Sequence, residues 1–232
     1  MIISIHQPNY FPWAGYFYKI MKSDIFVFLD DVQFSKNSFT NRANIIENKK
    51  KVWASLPVKN KIGTNISKIK IADEQWKNKH LSKIKNSYSK SIHFSELWEK
   101  INILINSINS NNLADINKNI IIGICDWLDF RTNFYTSSDL KFNSNLKAEE
   151  KLIEMIKYFN CNSYISGQGA KNYQDEAKFV KENIKLYYTN YNDNPYNQFT
   201  DNFITRISIL DLLFNLGINS TKNYIQNSFG LL

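Results

Sequence analysis

Apolar positions along the chain fall into two patterns. Some form short unbroken runs, and others recur every three to four positions over longer stretches. The first pattern suits strands buried on both faces of a parallel sheet, and the second suits helices with one apolar stripe. Residues 2–5, Ile-Ile-Ser-Ile, are the first run, and Ile25-Phe26-Val27-Phe28-Leu29 is the second. Between them Trp13, Phe17, Ile20 and Met21 recur at helical spacing behind Pro12, which suits a first helical turn. Strand, helix and strand in this order predict a right-handed βαβ unit. Lys19 and Lys22 fall in the last turn of the helix, where cations complement its dipole, and Lys19 is expected to be solvated.

The remaining chain continues in the same two patterns. Val52 to Val58 alternates like a strand with Pro57 at its end, and Ile66 to Ile71 alternates like a half-exposed one. Lys49-Lys50-Lys51 reads as a solvated turn. Asp73 to Tyr88, Ile92 to Ser110 and Leu113 to Leu128 carry helical periodicity. A short strand follows at 134–138, then an amphipathic helix from Lys147 to Phe159. Ser163-Tyr164-Ile165 is a further strand. It runs into Ser166-Gly167-Gln168-Gly169-Ala170, and a helix with Tyr173 and Phe179 comes next. Ile184 to Thr189 reads as a strand, and Ile207 to Asn215 as an apolar helix closed by Gly217. The last segment, Tyr224 to Leu232, reads as a short amphipathic tail. With no repeat or linker, this order predicts one α/β domain over 1–232. Its sheet is Rossmann-like and mostly parallel, with a helical insertion near 73–130.

Composition narrows the setting. The chain has 232 residues, 43% of them hydrophobic, enough for a sizeable single core. No apolar run approaches the ~20 residues of a membrane span. Ile2 to Ile5 has no basic segment before it, so a cytoplasmic protein is expected. Cys125 and Cys161 are isolated and read as buried reduced thiols. With His6, His80 and His93 they are too scattered for a metal site, and none is assigned. His80 and His93 read as surface or packing residues. The net charge of +8 suits an anionic partner, but the lysines are spread along the chain, and nucleic acid is the minor reading.

Candidate chemistry lies at the strand ends. His6-Gln7-Pro8-Asn9-Tyr10 closes the first run, and His6 is a candidate general acid/base or donor to an anionic intermediate. Its bland alternative is a hydrogen-bonded histidine that ends a strand. Asp30-Asp31-Val32-Gln33 closes the second run. Adjacent carboxylates point to opposite sides of a strand, so one would face a ligand as base, hydroxyl partner or Mg²⁺ ligand, unless both only shape a turn. Arg42, with Thr40 and Asn41, suits a carboxylate or phosphate. Ser166-Gly167-Gln168-Gly169 would bring backbone N–H groups to a phosphate, though its spacing is neither that of a Walker loop nor G-x-G-x-x-G. Ser208 and Asp211 fit a helical capping pattern, and Asp211 reads as structural or functional.

Several blocks together resemble the WbqC-like proteins. They are His6-Gln7-Pro8-Asn9-Tyr10-Phe11-Pro12-Trp13-Ala14-Gly15-Tyr16, Asp30-Asp31-Val32-Gln33-Phe34-Ser35-Lys36, Thr40-Asn41-Arg42, the stretch from Tyr164 to Tyr173, and the stretch from Ser208 to Gly217. The resemblance implies work on bacterial O-antigen and related surface polysaccharides, with transfer of glycine or another amino acid to a sugar. The first βαβ unit is also similar to the start of nucleotidylyl-transferase-like Rossmann enzymes such as pantothenate synthetase. Gly15 is kept, but Trp13 and Tyr16 stand where that signature has histidines, and ATP stays open as a cofactor beside other acyl-donor systems.

The expected reaction is amide formation on an amino sugar, nucleotide-linked, from an amino acid or other acyl donor. It assigns His6 to proton transfer or oxyanion stabilisation and one of Asp30 and Asp31 to orienting the amine or sugar hydroxyls. Gln7, Asn9, Tyr10, Gln33, Asn41 and Arg42 would position substrate, with Ser166, Gly167 and Gly169 against a phosphate. The alternatives are a non-catalytic binder of nucleotide sugars or glycan precursors and, on charge alone, an RNA-acting protein.

Overall fold

The two first apolar runs lie side by side in the computed structural model, which describes residues 1–59, 63–141, 146, 148–172, 174–192 and 194–232. In chain order the elements are β1 (Ile2–His6), α1 (Ala14–Met21), β2 (Ile25–Phe28), β3 (Arg42–Glu47), β4 (Lys50–Ser55), β5 (Val58–Lys59) and β6 (Lys70–Ile71). Next come α2 (Trp76–Tyr88), α3 (Phe94–Ser107), α4 (Leu113–Trp127) and β7 (Asn133–Thr136). The last are α5 (Ala148–Tyr158), β8 (Ser163–Ser166), α6 (Glu176–Lys181), β9 (Lys185–Tyr191), α7 (Ile209–Asn227) and β10 (Phe229–Leu231). The predicted helix start at Lys147 and the placement of Tyr173 in a helix lie outside the described residues.

Six strands form the central sheet in the order β10-β9-β8-β1-β2-β7. All neighbours are parallel except β10, which runs antiparallel to β9. The protein is therefore α/β with a mostly parallel sheet, as its pattern predicts. From β1 the chain steps outward to β2 and β7, then crosses to β8 and β9 on the other side. The strand order thus reverses between β1 and β8. In open α/β sheets the loops diverge at such a point and leave a crevice at the carboxyl ends of the strands.

Both faces of the sheet are covered, which explains the unbroken apolar runs. Ile3, Ile5, Ile25 and Val27 pack with Ile153 and Ile156 of α5 and Phe179 of α6. Phe26 and Phe28 point the other way, into a larger core shared by α1, α2, α3, α4 and α7. The helices of 73–130 appear as predicted, and they share this core with α1 and α7 rather than enclosing one of their own. By the two-residue period of a strand, Ser4 and His6 fall on the α1 side. The Ser4 hydroxyl donates to the Ile165 carbonyl at 3.1 Å and accepts from Ser23 Oγ at 2.8 Å.

Three segments differ from the pattern-based reading. Lys50 and Lys51 belong to β4, and the hairpin turn before it is Asn48-Lys49, both in the left-handed region that tight hairpins require (φ 49° and 60°). Ile66–Lys68 is a 3-10 turn, not the start of a strand. Ile66 and Ile69, which follows the turn, are both buried, and a three-residue spacing matches the 3-10 repeat as well as it breaks the strand one. Gly217 takes φ 75°, as a helix-ending glycine does, but a second helical segment resumes behind it and the tail ends in β10.

Candidate functional site

His6 ends β1 and Ser166 ends β8, so the strand-order reversal brings the first and fourth sequence blocks together. Two chambers open there. The smaller, about 160 Å³, is bordered by Trp13, Gln168, Thr189, Tyr191 and Arg206. The larger, about 510 Å³, has an apolar wall of Ile5, Leu29, Leu152 and Tyr164, with Lys151 and Gln7 beside it. His6, Lys19, Gly167 and Gly169 border both. A Cβ added at Gly167 or Gly169 would meet nothing within 4 Å, so these glycines leave the wall open.

Lys19 corrects the expectation of a solvated lysine. It is only 3% exposed, and its ammonium nitrogen has no hydrogen-bond partner. The cause is α1 itself, in which every residue from Ala14 to Ile20 is buried. A helix covered all round has no wet face for a long cationic side chain. The nitrogen lies 5.9 Å from the centroid of the Tyr16 ring, a weak substitute for water. Burial pulls the Lys19 amine down to about 7.

His6 packs edge-on against Tyr16, with ring centroids 4.8 Å apart. Its Nδ1 lies 3.0 Å from the Gln7 carbonyl. A carbonyl can only accept, so Nδ1 carries the hydrogen and Nε2 of the neutral ring is a bare acceptor. Burial and, to a lesser extent, the Lys19 charge lower the imidazole to about 3, and the Gln7 carbonyl opposes both. Tyr16 donates to the same carbonyl at 3.0 Å, which fixes the strand end.

The loop after β1 is held from several sides. Asn117 of α4 donates to the carbonyls of Pro8 (2.8 Å) and Thr40 (2.7 Å), and the Tyr10 N–H donates to Phe39 (2.9 Å). These ties hold buried Phe11 at φ 37°, a strained value for a bulky residue that costs about 1–3 kcal/mol. Arg206 also stands in the left-handed region (φ 56°), and its guanidinium lies 5.6 Å from the Trp13 ring centroid. Gly15 permits this wall, since a Cβ there would lie 2.5 Å from the Trp13 indole.

Other predicted residues lie elsewhere. Tyr10 is in the core, where its hydroxyl pairs with His80 Nδ1 at 2.7 Å while His80 Nε2 donates to the Ser55 carbonyl at 3.1 Å. Substrate positioning by Tyr10 is thereby corrected to packing, and His80 is a packing histidine. Asn41 is buried against the hairpin, donating to the Leu56 carbonyl at 3.2 Å. Arg42 stacks on Trp53, its guanidinium carbon 3.8 Å from the ring centroid. Neither borders the crevice, because both sit where β3 begins and follow the hairpin outward. Gln33 is exposed and bridges Asn65, and half-buried Asn9 borders neither chamber.

Asp30 and Asp31 do not point to opposite sides, because β2 ends at Phe28 and both lie beyond it. Ser137 Oγ lies within reach of both carboxylates, at 3.2 and 2.5 Å. Asp30, 2% exposed, also accepts from the Ser138 N–H and hydroxyl, each at 3.0 Å, and so ties the end of β2 to that of β7. Burial still raises its carboxyl above the ordinary range. Asp31 accepts from Lys151 at 2.5 Å and thereby reaches the larger chamber only through its partner. Asp211 is buried and accepts from Tyr196 (2.5 Å) and Gln198 (2.8 Å), anchoring the loop before α7.

Among the described residues, no Asp or Glu borders either chamber, whereas Lys19, Lys151 and Arg206 do. Among the described residues no cluster of His, Cys, Asp or Glu is arranged to hold a metal ion, and no helix is long and apolar enough to cross a membrane. Cys125 and Cys161 are free and buried.

Comparison with known proteins gives the chain its relatives. The Mycobacterium tuberculosis (strain ATCC 25618 / H37Rv) protein described as "Uncharacterized protein Rv1507c" is 30% identical over 218 residues, spanning 93% of this chain and 94% of the relative. The model of the WbqC-like protein family matches residues 7–223, a span that takes in Gln7 of the first loop, Lys19, the glycines after β8 and Arg206. The chain belongs to the WbqC-like protein family.

Proposed function

We propose that this crevice joins an acyl group, such as that of an amino acid, to the amine of a nucleotide-linked sugar destined for bacterial surface polysaccharide. The observation that carries the reading is the junction: two chambers of different lining share His6 and Lys19. Amide formation requires two ligands held with their reacting atoms together, and such positioning supplies a large part of the rate. The larger, partly apolar chamber suits the sugar and its nucleoside, with Lys151 at the phosphates. The smaller suits the acyl donor.

In this reading the sugar amine attacks the acyl carbonyl. The C–N bond forms, the bond to the donor's phosphate-type or thioester leaving group breaks with its electron pair, and the amine proton passes to His6 Nε2. His6 by itself is a weak base, held at about 3. An anion in the smaller chamber favours the protonated imidazole and so strengthens His6 as an acceptor when the donor is in place. The test is mass spectrometry of nucleotide amino sugars incubated with the protein, amino acids and ATP or thioester donors. A sugar gaining an acyl group is expected, and His6→Ala should stay folded and lose ~100-fold in turnover. Unchanged turnover in that variant removes His6 from the mechanism. Tight sugar binding with no mass gain from any donor leaves a binding protein instead.

A further inference from the structure

A buried ammonium with no partner is an unfinished interaction. Lys19 lies in the wall of the smaller chamber, its nitrogen out of contact with solvent and unpaired. Arg206 borders the same chamber, held there by its left-handed backbone and by the Trp13 ring. No carboxylate among the described residues borders it. At about 160 Å³ the space suits a small charged group rather than a whole nucleotide. Two cationic residues in the wall of one small space, one of them desolvated, bind an anion that reaches them far better than either would in water.

We infer that Lys19 and Arg206 form an anion subsite in the smaller chamber for a carboxylate or phosphate-type group, and that filling it draws a proton onto Lys19. The subsite shares the crevice with the proposed reaction but does not depend on amide formation. Its ligand group is an oxyanion, whether the carboxylate of an amino acid or the phosphate of an activated donor or nucleotide.

The proton link follows from the groups around Lys19. On β1, His6 is held far below neutrality and stays uncharged. On α1 itself, burial holds the Tyr16 phenol well above its ordinary value, and on α4 it does the same to the Cys125 thiol that faces Tyr16. Tyr191 on β9 also borders the chamber, and Arg206 carries a fixed charge. Lys151 on α5 is paired with Asp31. Lys19, near 7, is the group that changes charge just above neutrality. An anion favours its charged form and raises it, so binding takes up a proton where the free amine is neutral.

Sulfate is a suitable probe because it does not titrate between pH 6 and 9. Calorimetry at low ionic strength, in buffers of different ionisation enthalpy, reads both affinity and proton uptake. The wild type should take up close to one proton per sulfate at pH 8 and almost none at pH 6, with affinity falling about tenfold between them. Lys19→Met should bind at least tenfold more weakly at pH 6 and take up no proton. Lys19→Arg, charged throughout, should bind with an affinity that does not change with pH. Arg206→Gln should weaken sulfate at every pH and keep the proton uptake. Acetate in place of sulfate distinguishes a carboxylate site from a phosphate site by which binds tighter. Binding without proton uptake at pH 8, undiminished binding by Lys19→Met, or loss of binding in Lys151→Met alone would each overturn the assignment. So would an absence of binding by both anions, and none of these results bears on whether a sugar is acylated.

Discussion

Replacing Lys19 by methionine should stabilise the protein, and the gain should shrink as pH rises. The amine falls from an ordinary 10.5 to about 7 on folding because burial disfavours its charged form. Below pH 7 both folded and unfolded chains carry the proton, and the folded state bears the full cost of a buried charge. Each pKa unit corresponds to about 1.4 kcal/mol, so that cost is about 4–5 kcal/mol at pH 6. Between pH 7 and 10.5 the unfolded chain binds the proton and the folded one does not, so wild-type stability recovers by about 1.4 kcal/mol per pH unit. At pH 9 the remaining cost is about 2 kcal/mol. Methionine has similar length and no charge, so the difference between variant and wild type isolates this effect. The Tyr16 ring at 5.9 Å offsets little of it, since such contacts contribute about 0.5–2 kcal/mol. Urea denaturation of both proteins at pH 6, 7, 8 and 9 gives the measurement. A difference independent of pH would show that Lys19 does not titrate in the folded state as its burial requires.

Three further outcomes follow from the same geometry. Gly167→Ala should leave stability within about 0.5 kcal/mol, because nothing lies within 4 Å of the added methyl, yet it should weaken ligand binding in both chambers by calorimetry. Gly15→Ala should cost about 1–3 kcal/mol and shift tryptophan fluorescence, because its methyl would displace the Trp13 indole. Asp30→Ala should cost about 2–4 kcal/mol in urea denaturation by removing its hydrogen bonds from Ser137 and from the N–H and hydroxyl of Ser138, with Asp31→Asn costing less than half as much; the reverse order would contradict the tie between β2 and β7.

Much of the fold was legible because burial on both faces leaves a strong mark. The runs at Ile2–Ile5 and Ile25–Phe28 are apolar on the faces that the helices cover except at Ser4, and Ser163–Ser166 keeps a shorter mark in Tyr164 and Ile165 between its two serines. The helices α2 to α4 declare themselves by periodicity. Segments whose conformation depends on distant partners left no such mark. β10 is three residues long and is a strand only because β9 offers it an edge. The hairpin of β3 and β4 was half legible, since β3 is buried through four central residues, one of them Asn44, and so shows neither alternation nor an unbroken apolar run. In the site, His6 and the glycines after β8 were found because polar or glycine-rich residues at strand ends stand out against apolar runs. Arg206 had no signal, as its position rests on a left-handed backbone in a loop without periodicity. Lys19 did have one. It is a single cation in a helix apolar on all sides, and its place in the last turn offered a simpler reading.

Asp30 and Lys19 differ in how their buried charges are partnered. Both lie under the surface at the end of the sheet, and both titrate away from their ordinary values in the direction that burial imposes. Asp30 accepts from two serines and a backbone N–H, so most of its desolvation is offset inside the protein. The same holds for Asp211 with Tyr196 and Gln198, and for His80 with Tyr10 and Ser55. Lys19 has no such set. With a net stability of about 5–15 kcal/mol typical of domains, a single unpaired charge costing about 4–5 kcal/mol is a large concession. An apolar residue would remove it, and the proposed anion subsite gives the lysine a partner that the described residues do not. In the proposed reaction this is why the chemistry is assigned to the junction of β1 and β8, where His6 shares the wall with Lys19, rather than to the paired carboxylates after β2.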